Sequence, residues 1–482
     1  MSLTSVWVAH WRDTPARPVL LDAADGAVLT GLEVDDRTAA LAVRLAAAGV
    51  RPGDRVVLSC GPSAATVLAY VALLRLGAVA VPANTAYTAV ELEHIVGDVG
   101  PVLALVDDPA RIDGLPLGSH RADLSTLPRS DAAGWAVLDA AVPDAPALVA
   151  FTSGTTGRPK GAVLSHGNLE AGAAALVEAW GWTPADRLVH ALPLFHMHGL
   201  GAATNGTLSA GASMVVLPRF DPAAVVDAVT AHDATLFFGV PTMYARLRDA
   251  GRLRDLAGLR LLVSGSAPLD PPLFQVIAAE AGQAPIERYG MSETVMLTSN
   301  PLHGERRAGS VGVPLPGVQV RLGPEGAVEV TGPNVFAGYW ERPEASREAF
   351  TSDGWFRTGD IGALDDDGYL RLVGRASDLI ITGGYNVYPR EVEDAILEHP
   401  DVVDAAVVGL PDDTWGETVA AYVMVRPGLD AGPAHAERIG AELAAHVVPR
   451  LAAFKRPRRW TVLPELPRNA MGKVLRDQLR ER

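Results

Sequence analysis

The stretch Phe151-Thr-Ser-Gly-Thr-Thr-Gly-Arg-Pro-Lys-Gly161 holds four hydroxyl side chains, three glycines and two cations behind an apolar run. That composition suits an anion with many oxygens. Glycine lets backbone amides approach closely, Ser and Thr hydroxyls donate hydrogen bonds, and Arg158 and Lys160 bring positive charge. Phosphate is the expected ligand, yet the spacing is not that of the common nucleotide loop. The Walker pattern places lysine directly after its second glycine and Ser or Thr after that, whereas Gly157 is followed by Arg158-Pro159-Lys160. Taken alone, the stretch reads equally well as a polar surface loop.

Further clusters change that balance: Pro193-Leu-Phe-His-Met-His-Gly199, Tyr289-Gly-Met-Ser-Glu293, Gly354-Trp-Phe-Arg-Thr-Gly-Asp360, Gly374-Arg-Ala-Ser-Asp378 with Gly383-Gly-Tyr-Asn-Val-Tyr-Pro389, and Pro467-Arg-Asn-Ala-Met-Gly-Lys473. Tyr289 to Glu293 combines an aromatic face, a tight turn at Gly290, the hydroxyl of Ser292 and a carboxylate able to bind a hard cation. Singly, each has a plain alternative: Tyr289 as core, Asp360 as a turn cap, Lys473 as a solvated lysine. Together, in this order and over nearly the whole chain, the motifs resemble the adenylate-forming (AMP-forming) acyl-CoA synthetase superfamily.

The resemblance implies a two-step reaction. A carboxylate attacks the α-phosphorus of ATP, releasing pyrophosphate and leaving acyl-AMP, and the thiol of coenzyme A then displaces AMP. By the same resemblance, Thr152, Ser153, Gly154, Thr155, Thr156, Gly157 and Lys160 hold the β- and γ-phosphates, and Glu293 with Thr155 binds Mg²⁺. Tyr289 stacks on adenine, Gly290 turns the chain, Ser292 meets the α-phosphate, and Ser264-Gly265-Ser266-Ala267-Pro268 walls the adenine pocket. Asp360 and Arg375 take the ribose hydroxyls. Lys473 bridges carboxylate and α-phosphate, then withdraws as a small domain swings. Catalysis thus rests on Lys473, Glu293 and Lys160, because a pentavalent phosphorus gathers charge that positioned cations and donors must stabilise. Ser377 occupies the hinge position, where relatives more often carry Lys or Asp. Gly383 and Gly384 suit a loop packed on pantetheine, and Lys455, Arg456, Arg458 and Arg459 suit the phosphates of coenzyme A, with a solvated basic face as the alternative. The resemblance extends to acetylation of Lys473 by a protein acetyltransferase, which would remove its charge.

The identity of the acid turns on Arg288. Superfamily members place a residue facing the acyl group just before the stacking tyrosine, and enzymes for fatty or aromatic acids tend to have something small or uncharged there. A buried arginine is costly unless an anion neutralises it, which predicts a second carboxylate on the substrate. His196 and His198 lack a Cys, Asp or Glu nearby to complete a metal site, so they are read as lining the acyl pocket and thiol channel. With Met197 and Met296 filling space and Ser264 close by, the segments look like those of malonyl-CoA synthetases. Malonate is the expected acid and methylmalonate a second candidate. The plain alternative is that Arg288 pairs with Glu287 or Glu293. Other readings are a synthetase for another short acid, an adenylation enzyme loading a carrier protein, and a catalytically silent nucleotide sensor.

These residues need elements to carry them. From about residue 35 to 290, short apolar runs alternate with amphipathic Ala/Leu-rich stretches: strands are expected at 55–59, 78–81, 102–106, 148–152, 188–192, 213–217, 235–238, 259–263 and 286–289. Helices are expected at 36–48, from the Thr88/Glu91 capping box onward, and at 166–179, 222–231 and 268–281. Such alternation means α/β doubly wound sheets, with ligands beyond the carboxyl ends of strands. After about residue 310 glycine-punctuated strands predict a small antiparallel unit with a turn at Asp365 to Gly368, and a smaller α+β domain comes after it. The expected division is 1–374, binding nucleotide and acid, and 375–482, carrying Lys473. A Pro-, Asp- and Ala-rich connection is expected over 115–144. With 482 residues, 48% hydrophobic and 20% charged, the chain can fill several cores, and its formal charge of −15 disfavours nucleic acid or anionic membrane as general partners. A single cysteine, Cys60, excludes an internal disulfide and fits a reducing cytoplasm. Nothing at the N-terminus reads as a signal peptide and no apolar run is long enough to span a bilayer.

Overall fold

The computed structural model describes residues 2–112, 121–123, 137–152, 159–426, 433–469 and 473–482. It forms two compact units, one of residues 1–320 and 330–356, the other of 321–329 and 357–482. Among the described residues no helix is long and apolar enough to cross a membrane.

The first unit holds two large sheets. One runs, in spatial order, through Val313–Pro314, Thr298–Ser299, Ile286–Tyr289, Leu261–Ser264, Leu236–Gly239, Arg187–His190, Ser213–Val216, Pro18–Asp22 and Val28–Thr30. Its inner strands are parallel and its margins antiparallel. The other is ordered Gly338–Tyr339, Lys160–Ser165, Pro146–Thr152, Val79–Pro82, Arg55–Ser59, Leu103–Val106 and Arg121–Asp123. Strands covered on both faces are apolar throughout, as in Leu236–Gly239 and Val79–Pro82, where every residue is buried.

Expected strands at 55–59 and 286–289 and the helix at 166–179 coincide with observed ones. Thr30/Glu33, Thr88/Glu91 and Ser165/Asn168 all close capping boxes that start helices. Among the elements outside the expected pattern, two bear on how the sequence is read. The helix Ala64–Leu76 is buried nearly all round, so it lacks the one-sided pattern that marks an amphipathic helix. The strand Lys160–Ser165 begins directly after the phosphate-type loop, so Thr152 and Lys160 become cross-strand partners in an antiparallel hairpin. Within the expected connection over 115–144, Arg121–Asp123 is a strand parallel to Leu103–Val106, while 113–120 and 124–136 lie outside the described residues.

The second unit begins with strands Gln319–Leu322, Ala327–Thr331, Phe356–Leu364 and Leu370–Arg375 in one sheet. The turn at Asp365 to Gly368 is present, with Gly368 at φ 83°. Packing therefore divides at 356–357, ahead of Gly374-Arg375, because the hairpin of Phe356–Leu364 and Leu370–Arg375 is grouped with the C-terminal elements. The remaining sheet is ordered Tyr385–Val387, Ile380–Thr382, Gly416–Val425 and Val402–Asp412, with Arg459–Val462 parallel to Gly416–Val425. Alternation sorts its two faces. Ala405, Val407 and Val423 pack under the helices Pro389–Leu397 and Pro433–Val447, while Ala406, Val408 and Tyr422 pack with Leu466 and Leu479.

Candidate active site

In the first unit, parallel strands Leu261–Ser264 and Ile286–Tyr289 lie side by side with Ser264 opposite Glu287. Their carboxyl ends bring Gly265, Ser266, Ala267 and Pro268 beside Tyr289, Gly290 and Ser292, the arrangement expected of a ligand crevice in an open α/β sheet. Gly290 is obligatory, since a Cβ there would collide with the Val295 carbonyl as the chain folds back. Val295 itself sits at φ 59°, an uncommon conformation for a β-branched residue. Asn334 secures this return by donating from Nδ2 to the Thr294 carbonyl at 2.8 Å and the Met296 carbonyl at 2.6 Å.

On the phosphate side, Thr152 Oγ1 donates to the Lys160 carbonyl at 3.4 Å. Ser153, Gly154, Thr155, Thr156, Gly157 and Arg158 lie outside the described residues. Lys160 Nζ stands 5.4 Å from the ring centroid of Tyr339, whose hydroxyl donates to Glu293 Oε1 at 3.0 Å. Burial and then the Glu293 charge push the Tyr339 phenol up from its usual range, so it stays a donor. Glu293 is 5% exposed. Among the described residues no three His, Cys, Asp or Glu gather as a metal site. A Mg²⁺ held at Glu293 would draw further oxygens from a nucleotide's phosphates, a mode usual for that ion.

On the acyl side, Arg288 is buried under Gly265, where a Cβ would overlap the guanidinium. Its hydrogen bond from Nη2 to Ser266 Oγ is long, at 3.5 Å, and Nε has no partner. Burial pulls the guanidinium down to about 9, with Glu287 acting in the opposite sense. Glu287 nevertheless points away, accepting from the Leu269 amide at 2.9 Å, because successive residues of a strand face opposite sides. Glu293 is engaged by Tyr339. Among the described residues neither acid forms an ion pair with Arg288, and the Glu287 charge reaches it only from the far side of the strand.

Ser266, in the left-handed region at φ 70°, also shares a 3.2 Å hydrogen bond with His198 Nδ1. His198 packs on Phe238, and the His196 Nδ1 accepts from the His198 amide at 3.2 Å. Burial first, and the Arg288 charge second, lower both imidazoles, His196 to about 4. Neutral rings are what can border a cation. The turn after them, His198–Thr204, is a π-helix, and Gly201 makes room for the Met197 methyl. Met197 and Met296 are buried. Beside Ser266, Arg288 Nε and His198 Nε2 are buried polar atoms without a hydrogen-bond partner, which leaves both able to meet a polar ligand.

In the second unit, Asp360 and Arg375 are cross-strand partners with a 3.1 Å ion pair. Lys473 has its amide held by Asn469 Oδ1 at 3.0 Å, while Ala470, Met471 and Gly472 lie outside the described residues. Burial, then Arg375, lowers the Lys473 ammonium, and Asp378 and Asp360 oppose them. Ser377 is exposed on a short 3₁₀ turn. Gly383 and Gly384 form a two-residue hairpin with φ 56° and 81°, the pair of positive angles that a type I′ turn needs. Lys455 pairs with Glu391 at 2.5 Å, Arg456 donates to the carbonyls of Leu451 and Val448, and Arg458 lies 4.1 Å over Trp415.

Tyr339 carries no functional signal in the sequence, since an aromatic between glycine and tryptophan has the signature of core. Ser266 was expected only as a wall of the adenine pocket, and its link to His198 depends on a backbone angle that no motif displays.

Residues 7–340 match the AMP-binding enzyme family and residues 391–473 the AMP-binding enzyme C-terminal domain. The chain is 38% identical to a feruloyl-CoA synthase of Amycolatopsis sp over 95% of this chain and 94% of that one. It is 36% identical to a sulfoacetate–CoA ligase of Cupriavidus necator, covering 99% and 96%, and 34% identical to a malonate–CoA ligase of Arabidopsis thaliana, covering 90% and 78%. Among solved structures it is similar to ATP-bound MatB from Rhodopseudomonas palustris, with a TM-score of 0.91, 38% identity and coverage of 100% and 99%. The chain therefore belongs to the AMP-binding enzyme family, within the AMP-forming acyl-CoA synthetases, and is an AMP-forming acid–thiol ligase.

Proposed function

We propose that the enzyme activates malonate, and methylmalonate beside it, converting acid, ATP and coenzyme A to acyl-CoA, AMP and pyrophosphate. The observation that carries this reading is the buried guanidinium of Arg288, which has no ion pair among the described residues. A charge of this kind is stabilised when a ligand's anion replaces lost water, and a monocarboxylate has none to spare once its only carboxylate must attack phosphorus. Two of the relatives act, by name, on small acids with a second anionic group, malonate and sulfoacetate, and one on ferulate, which lacks it. Arg288 favours the first kind.

In this reading one carboxylate faces Arg288 and Ser266, with Met197, Met296 and His196 limiting the space around it. The other carboxylate attacks the α-phosphorus, and the bond to the pyrophosphate oxygen breaks. Thr152 and Lys160, with the loop between them, hold the leaving pyrophosphate, and Glu293 supplies an oxygen ligand to Mg²⁺. Tyr289 faces adenine, Ser292 the α-phosphate, and Asp360 with Arg375 the ribose. Lys473 supplies the cation of the adenylation step. Its lowered ammonium fits a lysine kept partly dehydrated. The coenzyme A thiolate then attacks the acyl carbonyl and AMP departs, with His196, Gly383 and Gly384 along the thiol's path and Ser377 as pivot.

A panel of acids with ATP and coenzyme A, read by pyrophosphate release, tests the assignment. Malonate and methylmalonate should exceed acetate and ferulate in kcat/KM by at least about a hundredfold, the scale of one satisfied buried charge. Preference for ferulate or acetate would overturn it, and preference for sulfoacetate would keep the dianion but replace malonate.

A further inference from the structure

Tyr339 is the side chain that joins the two phosphate-side groups. Its hydroxyl donates to Glu293 Oε1 at 3.0 Å, while Lys160 Nζ stands 5.4 Å from its ring centroid, within range of a cation–π contact. The backbone makes this placement stiff. Gly338–Tyr339 pairs antiparallel with the strand that begins at Lys160, setting Tyr339 opposite Ala162, and the Trp340 amide donates to the Gly161 carbonyl at 2.8 Å. The Tyr339 amide donates to Ser346 Oγ at 2.8 Å. Gly338, at φ 155°, has no space for a side chain, since a Cβ would lie 2.6 Å from the same Ser346 oxygen. The Phe336 ring meets Tyr339 edge-on at 4.9 Å, and the Phe336 amide donates to the Glu293 carbonyl at 2.9 Å. One short segment thus braces Glu293 through backbone and side chain together.

We propose that Tyr339 is a positioning residue of the adenylation step, its hydroxyl orienting Glu293 toward the magnesium of MgATP and its ring seating Lys160 for the terminal phosphates. This rests on the roles proposed for Glu293 and Lys160. A hydroxyl donating to a buried carboxylate fixes its rotamer, while the quadrupole of the ring holds an ammonium without cancelling its charge. The two functions separate by substitution. Tyr339→Phe removes the hydroxyl and keeps the ring, whereas Tyr339→Leu removes both.

The test is calorimetric binding of α,β-methylene-ATP to the full-length protein, with and without Mg²⁺, beside the magnesium activation curve for pyrophosphate release. Tyr339→Phe should weaken nucleotide binding about tenfold with Mg²⁺ present, the scale of one hydrogen bond to a charged group, and leave metal-free binding unchanged. Tyr339→Leu should weaken metal-free binding as well, by about threefold, the scale of one cation–π contact. Equal losses with and without Mg²⁺ in Tyr339→Phe would mean general damage and overturn the proposal, as would wild-type behaviour. Glu293→Gln separates the two levels of argument. If it leaves magnesium dependence untouched, the role of Glu293 fails and the proposal with it; if it shifts that dependence and Tyr339→Phe does not, only the proposal fails.

Discussion

Arg75 and Arg288 are buried to nearly the same degree, 2% and 4% exposed, and live in opposite surroundings. Arg75 sits on the apolar helix Ala64–Leu76 and gives Nη1 to Asp35 Oδ1 at 2.8 Å and Thr38 Oγ1 at 2.7 Å, and Nη2 to Asp139 Oδ2 at 3.1 Å. Burial would raise the Asp35 carboxyl, but hydrogen bonds from Arg12 and Arg75 outweigh it and hold it below the usual range. Arg288 has a serine oxygen at 3.5 Å and no carboxylate partner among the described residues. Breaking a compensated buried charge leaves its partners stranded, whereas removing an uncompensated one relieves a desolvation cost. Its partners tie the first arginine to stability, and on the function proposed above the second serves recognition.

The comparison breaks most visibly at Arg288. Arg288→Met should lower kcat/KM for malonate by roughly a thousandfold, the cost of stranding a ligand carboxylate, while the thermal midpoint of the unliganded protein stays level or rises. A fall in the midpoint with little change in malonate kinetics would make Arg288 structural and erase the contrast. Arg75→Met should do the reverse. We expect a loss of roughly 3 kcal/mol of stability, at the lower bound for a broken buried pair because its acids are partly exposed, with the order of preference among acids preserved. Thermal melts and the acid panel on the same preparation read both.

Acidity sharpens the contrast. Burial pulls the Arg288 guanidinium down from its ordinary value, yet a guanidinium keeps its proton across the working pH range. Attraction for a second carboxylate should therefore persist, and the malonate-to-acetate ratio of kcat/KM should stay level between about pH 7 and 9. His190 and His196, lowered to about 4 by burial, should add no break between pH 5 and 8. A malonate-to-acetate ratio that falls across about pH 7 to 9 would tie selectivity to a group that titrates there and overturn the assignment to Arg288.

Legibility in the sequence tracks the range of the interaction. Ile286–Tyr289 and His166–Ala179 are readable because apolar pattern and capping residues lie within the element itself. The Lys160–Ser165 strand is hidden by the glycine-rich stretch before it, and its identity depends on pairing with Pro146–Thr152. Ala64–Leu76 is hidden by uniform burial, which erases helical periodicity. In the site, Lys160, Glu293 and Arg288 stand out by type and motif. Tyr339 does not, since it meets Glu293 only through a strand pairing that spans much of the chain.

The amino-acid sequence determined the reaction class and named most of the polar groups, because phosphate chemistry demands particular residue types at short spacing. That no carboxylate among the described residues forms an ion pair with Arg288 was decided only in three dimensions. Glu287 and Glu293 are near it in sequence, but strand alternation turns one away and Tyr339 engages the other. Electrostatic compensation is a property of distances across elements, and sequence spacing does not contain them.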